Sequence, residues 1–112
     1  MTLTRIPLLC LVLATACSQA GANEGHKFLS SLNEKDRNAR LSEMLTQVVA
    51  PCVVERNFFR GTDEKRAAFW AAGCTSGKAY TIMILDDAKG STRILDCKVM
   101  MERAKVDCFK KM

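Results

Sequence analysis

CVVERNFFRGTDEKRAAFWAAGC, residues 52–74, is the stretch whose reading decides the fold. It begins and ends on cysteine, and its two halves are rich in β-branched, aromatic and small residues around the polar, Gly-containing segment Gly61-Thr62-Asp63-Glu64-Lys65. That composition reads as a β-hairpin, Cys52 to Arg60 paired with Arg66 to Cys74. Counting outward from Asp63 sets Cys52 opposite Cys74. Directly opposed antiparallel residues have Cβ atoms about 4.5 to 5.5 Å apart, close to the roughly 3.5 to 4.5 Å that a disulfide requires, so the hairpin predicts its own bridge.

Downstream the alternation continues between closely spaced turns. Ser76-Gly77 reads as a two-residue link in which Gly supplies positive φ, leading into a strand over Ala79 to Asp86. Asp87-Ala88-Lys89-Gly90 returns the chain along Thr92 to Val99, and a turn near Glu102 and Arg103 brings back a short fifth strand, Lys105 to Phe109. Counting from that last turn sets Cys97 opposite Cys108 and Lys98 opposite Asp107, a favourable cross-strand charge match. Of the three pairings open to four cysteines, the count selects Cys52 with Cys74 and Cys97 with Cys108.

Upstream the period is helical. Ser31-Leu32-Asn33-Glu34 has the capping-box form, and Leu41, Met44, Leu45, Val48 and Val49 fall on one stripe until Pro51 stops the helix. Arg37, Arg40, Glu43 and Gln47 occupy the opposite side. The expected fold is therefore α+β: one N-terminal amphipathic helix packed on a four- to five-stranded antiparallel β-meander with two disulfides.

Carrying the alternation across the hairpins gives one face of Cys52, Val54, Phe58, Ala68, Trp70, Ala72, Cys74, Met83, Leu85, Leu95, Cys97 and Val99, which reads as the core. The other holds Val53, Phe59, Phe69, Tyr80, Ile82, Ile84 and Ile94, diluted by Glu55, Asn57, Asp96 and Lys98. One helix cannot cover both sides, so Phe59, Phe69, Tyr80 and Ile82 are expected to form an accessible partner surface, open or covered by the leader, a protein partner or a second copy as a homodimer. A one-residue slip would exchange the faces.

The first 22 residues set the compartment. Arg5, the apolar run Ile6 to Ala16 and the small-residue site Ala20-Gly21-Ala22 read as a signal peptide, residues 1–22, too short in its apolar core to span a bilayer. A competing cut ends the signal at residue 16: Leu13-Ala14-Thr15-Ala16-Cys17 resembles a lipobox, in which Cys17 would be lipidated and anchor the chain to a membrane. Either cut removes Cys10 and leaves Cys52, Cys74, Cys97 and Cys108 as disulfide staples in an oxidising compartment, the periplasm or the exterior. Residues 23–30 read as a flexible leader holding the only histidine, His26, and residues 31–112 as one α+β domain.

A mature chain of about ninety residues has one modest core, for which disulfides matter. The chain has 17 basic and 12 acidic residues, and without Arg5 the 16 against 12 leave a net charge of +4. The basic residues cluster loosely at Arg60, Lys65 and Arg66 and at Arg103, Lys105, Lys110 and Lys111 rather than in a stripe, so nucleic acid is not an expected partner.

Catalytic chemistry finds little to stand on. His26 lies in the expected leader, where nothing positions it. No serine-histidine or cysteine-histidine pair is expected in the body, and Asp86, Asp87 and Glu64 fall in turns, where acidic residues serve the backbone. The lack of Cys-x-x-Cys argues against a zinc ribbon, a thioredoxin-type site and covalent haem, and no cofactor is expected. The layout resembles cystatin-type and PepSY-type modules in architecture alone, which carries no function. The expected role is a non-enzymatic binding or accessory module acting on a protein partner in the cell envelope, inhibitor-like in character. The alternatives are a small-molecule-binding protein or enzyme with a scattered site, and a structural outer-membrane lipoprotein.

Overall fold

The computed structural model describes residues 23–49 and 51–112. The signal sequence, both of its cleavage readings and the lipidation candidate Cys17 lie outside the described residues. In chain order the elements are α1 (Glu24–Ser31), α2 (Glu34–Val48), β1 (Val54–Thr62), β2 (Ala68–Cys74), β3 (Ala79–Ile84), β4 (Thr92–Asp96) and α3 (Cys97–Ala104). The four strands form one antiparallel meander in the order β1-β2-β3-β4.

The segment expected as a flexible leader is a helix. Asn23 caps α1 by accepting from the His26 amide at 3.1 Å, and Leu29 enters the core at 2% exposure. Gly25 allows the close approach: a Cβ there would meet the Ile84 Cγ2 at 2.9 Å. The corner between the helices is closed by Arg37 of α2, whose Nε donates to the Leu29 carbonyl at 2.9 Å and whose Nη2 donates to those of Ser30 and Leu32. These are carbonyls that a helix end leaves without internal partners.

The cap of α2 is also displaced from its expected place. Ser31 is the last residue of α1 and donates to the Phe28 carbonyl at 2.7 Å, whereas Asn33 caps α2 by accepting from the Asp36 amide at 2.8 Å. Leu41 and Leu45 are fully buried and Met44 packs partly against the core. Val48 and Val49, expected on the same stripe, are exposed.

Both disulfides form as expected, with Cα separations of 5.3 Å for Cys52–Cys74 and 5.8 Å for Cys97–Cys108. Their surroundings differ from expectation. β1 carries two register shifts, so Val54 rather than Cys52 lies opposite Cys74, and Phe59 lies opposite Trp70. Cys52 still reaches Cys74 because the pairing continues one step beyond the strand, the Thr75 amide donating to the Val53 carbonyl at 2.8 Å. The second turn holds three residues, Thr75-Ser76-Gly77, closed by the Cys74 amide on the Lys78 carbonyl at 2.8 Å. Gly77 takes the positive φ, 95°, that such a loop needs at its last position.

That extra loop residue turns β3 over. Tyr80, Ile82 and Ile84 pair with Ala72, Trp70 and Ala68 and join Leu29, Leu41, Leu45, Val54 and the Cys52–Cys74 bridge in the core beneath α1 and α2. Met83 and Leu85, expected in the core, are only half-buried.

The expected long fourth strand and short fifth strand are replaced by a shorter strand and a helix. Asp96 ends β4 and caps α3, accepting from the amides of Lys98 and Val99 at 2.8 and 3.4 Å. Cys97 therefore opens a helix, and Cys108 meets it from the segment that follows; the Lys98–Asp107 cross-strand pair does not exist. This last segment covers part of the sheet side away from α1 and α2. Thr81, fully buried, places its hydroxyl 3.0 Å from the Cys108 sulfur. Arg56 lies over the Phe109 ring at 3.8 Å, and Arg60 donates to the Lys110 carbonyl at 3.1 Å.

Candidate interaction surface

The four residues expected as an accessible patch are not brought together at the surface. Tyr80 is 7% exposed and Ile82 fully buried under the helices, where Phe59 packs partly against the same core. Phe69, half-buried, belongs to the opposite side of the sheet, opposite Met83. The physical cause is the pair of local insertions just described: a three-residue turn reverses β3, and the shifts in β1 reverse Phe59, because side chains alternate with a period of two.

His26, expected in a flexible leader, is held in an aromatic cluster. Its ring stacks on Phe59 at 4.7 Å between centroids, and the Trp70 Nε1 donates to its Nδ1 at 3.1 Å. The Arg37 guanidinium lies 5.1 Å from the Trp70 ring centroid. Burial pushes the His26 pKa below its ordinary value. One turn along α1, Ser30 sets its hydroxyl 3.5 Å from His26 Nε2, so a serine-histidine pair does exist, contrary to expectation. Its polarity is wrong for nucleophile activation. Because Nδ1 accepts from Trp70, the proton of the neutral ring sits on Nε2, which then offers Ser30 a donor rather than a base. The cluster is a packed and satisfied joint between α1 and the sheet.

The turn acids differ in what they do. Asp87 accepts from the amides of Lys89 and Ser91, and the Ser91 amide foremost holds its carboxyl below the usual range. Asp86 pairs with Arg66 at 2.8 Å, and Glu64 is exposed in the β1–β2 loop. Of the basic clusters, Arg60 is buried against Lys110, while Lys65, Arg66, Arg103, Lys105, Lys110 and Lys111 are exposed. Among the described residues no three His, Cys, Asp or Glu side chains gather as metal ligands, and no helix is long and apolar enough to cross a membrane.

Among the described residues the far edge of the sheet is accessible and unpartnered. β4 is an edge strand, and among the described residues nothing beyond β3 hydrogen-bonds to the main chain of Thr92–Leu95. Leu95 is 43% exposed, and Val99 and Met101 on α3 are exposed with it. An unpaired strand edge is a template for another strand. The opposite edge differs: the Val54 amide donates to Ser42 Oγ at 2.8 Å, the Cys52 amide to Thr46 Oγ1 at 3.3 Å, and the Arg60 carbonyl accepts from Met112 at 3.1 Å. A cleft of about 400 Å³ lies at the end of the sheet, lined by Ser76, Gly77, Lys78, Ala79, Asp96, Cys97 and Lys98. The sequence signal for this surface is Asp96 followed by Cys97-Lys98-Val99-Met100-Met101-Glu102-Arg103-Ala104: a cap residue before a run of good helix formers that truncates β4.

No protein-family model, curated protein or solved structure matches the chain.

Proposed function

We propose that this is an exported, non-enzymatic binding module of the cell envelope or exterior, which takes an extended segment of a protein partner onto the open edge of β4. The observation that carries the reading is that edge, unpaired among the described residues and accompanied by exposed Leu95 and Val99. Main-chain hydrogen bonds would supply affinity in such strand addition, and apolar side chains beside the edge would select the segment. The two disulfides fit an oxidising compartment, and an added strand could equally block the partner segment it holds, an inhibitor-like action. The cleft favours a small-molecule reading, with Lys78 and Lys98 as its cations and Asp96 engaged in capping α3.

The test is capture from an envelope fraction combined with hydrogen exchange. Partner binding should slow amide exchange at Thr92–Asp96, and Leu95→Asp should weaken capture at least about tenfold while changing stability by no more than about 0.5 kcal/mol, as expected for an exposed site. Val53→Asp, more exposed than Leu95 and beside the opposite edge strand, should leave capture intact. Capture that survives Leu95→Asp and Val99→Asp, or that is lost with Val53→Asp instead, overturns the assignment.

A further inference from the structure

Asn23 is held more completely than a helix cap requires. It is 6% exposed and adopts a left-handed backbone, φ 46°, a conformation that Asn tolerates better than most residues. Its side-chain amide donates to the carbonyls of Arg66 at 2.7 Å and Ile84 at 3.2 Å, while its Oδ1 caps α1. Its backbone nitrogen lies 2.7 Å from Asp86 Oδ1. Asp86 is itself enclosed, its side chain 8% exposed, and its second oxygen accepts from Arg66 Nε at 2.8 Å. A carboxylate is thus aimed at one backbone nitrogen, and the peptide bond on that nitrogen is the one that Ala20-Gly21-Ala22 marks for cleavage.

We propose that Asp86 is the receptor for a newly made amino terminus: hydrolysis between Ala22 and Asn23 creates an α-ammonium that pairs with Asp86 and locks α1 to the sheet. An envelope endopeptidase supplies the catalysis. Water adds to the Ala22 carbonyl carbon and the C–N bond breaks. Ala22 leaves as a carboxylate, and the Asn23 nitrogen takes up protons to become –NH3+. The amide–carboxylate hydrogen bond, charged on one side only, becomes an ion-paired one within an enclosed site, where such bonds are stronger. The site would also distinguish the two maturation routes, because a chain cut before Cys17 keeps an amide at Asn23. The inference shares the export reading with the proposed function but is independent of any partner.

The described residues hold all four strands, the three helices and both disulfides, so the protein beginning at Asn23 can be compared with one retaining Ala20-Gly21-Ala22. The free terminus should raise Tm by about 4 to 8 °C at pH 7, the shift that a single good interaction gives a domain of this size. Asp86→Asn should abolish the difference. The charges facing the new ammonium are Asp86 from the β3–β4 loop and Arg66 from the β1–β2 loop. The adjacent carboxylate raises the ammonium pKa on folding, so the advantage seen at pH 7 should persist to about pH 8, the ordinary α-amino value, and fade as pH rises through the folded value. Equal Tm values for the two starts overturn the proposal, and this comparison decides even if Asp86→Asn fails to fold. In protein recovered after export, an Asn23 terminus supports it; a diacylglyceryl Cys17 or any other start overturns it.

Discussion

The two sides of the sheet are closed by different physics. Beneath α1 and α2 the contacts are apolar: Leu29, Leu41, Leu45, Trp70, Ile82 and Ile84 interlock with almost no exposure. On the other side the cover is the segment after α3, held by the Cys97–Cys108 bridge, the Arg56–Phe109 contact and backbone bonds at Arg60, with Thr81 buried beneath it. The first side gains from the area it removes from water. The second relies on a covalent tether and a few directed contacts, which lets a short stretch of chain stay on a sheet it could not hold by burial alone. A small domain needs such devices because its core is limited.

The sharpest way to break the contrast is to empty the helix side. Ile82→Ala should destabilise the protein by about 2 to 5 kcal/mol, read from urea denaturation, and it should do so in one cooperative transition. A cost near that of an exposed position would mean that the helix-covered side is not the principal core.

Removing the tether from the other side comes next. The paired substitution Cys97→Ala and Cys108→Ala opens a loop whose ends lie 11 residues apart, for which the chain-entropy relation gives about 2.8 kcal/mol. The loss should be regional: amide exchange should quicken after residue 96 and at Thr81 while Leu41 and Leu45 keep their protection. Uniform loss across the molecule would show that the two sides do not differ in the way described.

The smallest effect concerns the joint at His26. Its pKa is lowered by burial, so the unfolded chain binds this proton more readily than the folded one and stability rises with pH in the window between them. The contribution is complete above the ordinary value of 6.5, declines as pH falls from there towards the folded value and then levels off. Thermal melts from pH 8 to pH 4 should carry this component, and Trp70 fluorescence should report it, since protonation of Nδ1 removes the acceptor for the Trp70 Nε1 proton. His26→Leu should remove that component; an unchanged profile would assign the acid sensitivity to other groups.

The disulfides and the meander order were readable because a bridge demands only proximity, and Cys52 and Cys74 remain near each other through a shift of register. Cys97 and Cys108 show the same tolerance: the first residue of a helix and one in the segment after it satisfy the bridge as well as two opposed strand positions would. The sides of the sheet were not readable, because one residue in the Thr75-Ser76-Gly77 turn and the shifts in β1 reverse the alternation, and the strands themselves carry apolar residues at both parities. That is why Tyr80 and Ile82 looked accessible and are core. Helix α1 escaped because its sequence offers one deeply buried side chain, Leu29, and because its cap Asn23 and its His26 ring are docked by distant partners, Ile84, Asp86 and Trp70.

The unequal edges of the sheet also set a limit on growth. With β1 sealed by Ser42, Thr46 and Met112 and irregular at two places, a molecule can extend its sheet in one direction only. A fibril built by strand pairing needs two sticky edges on every subunit, one to receive and one to offer. Here two copies joined through β4 would meet about a two-fold axis, consume both available edges and leave nothing for a third, so self-association by this route stops at a pair.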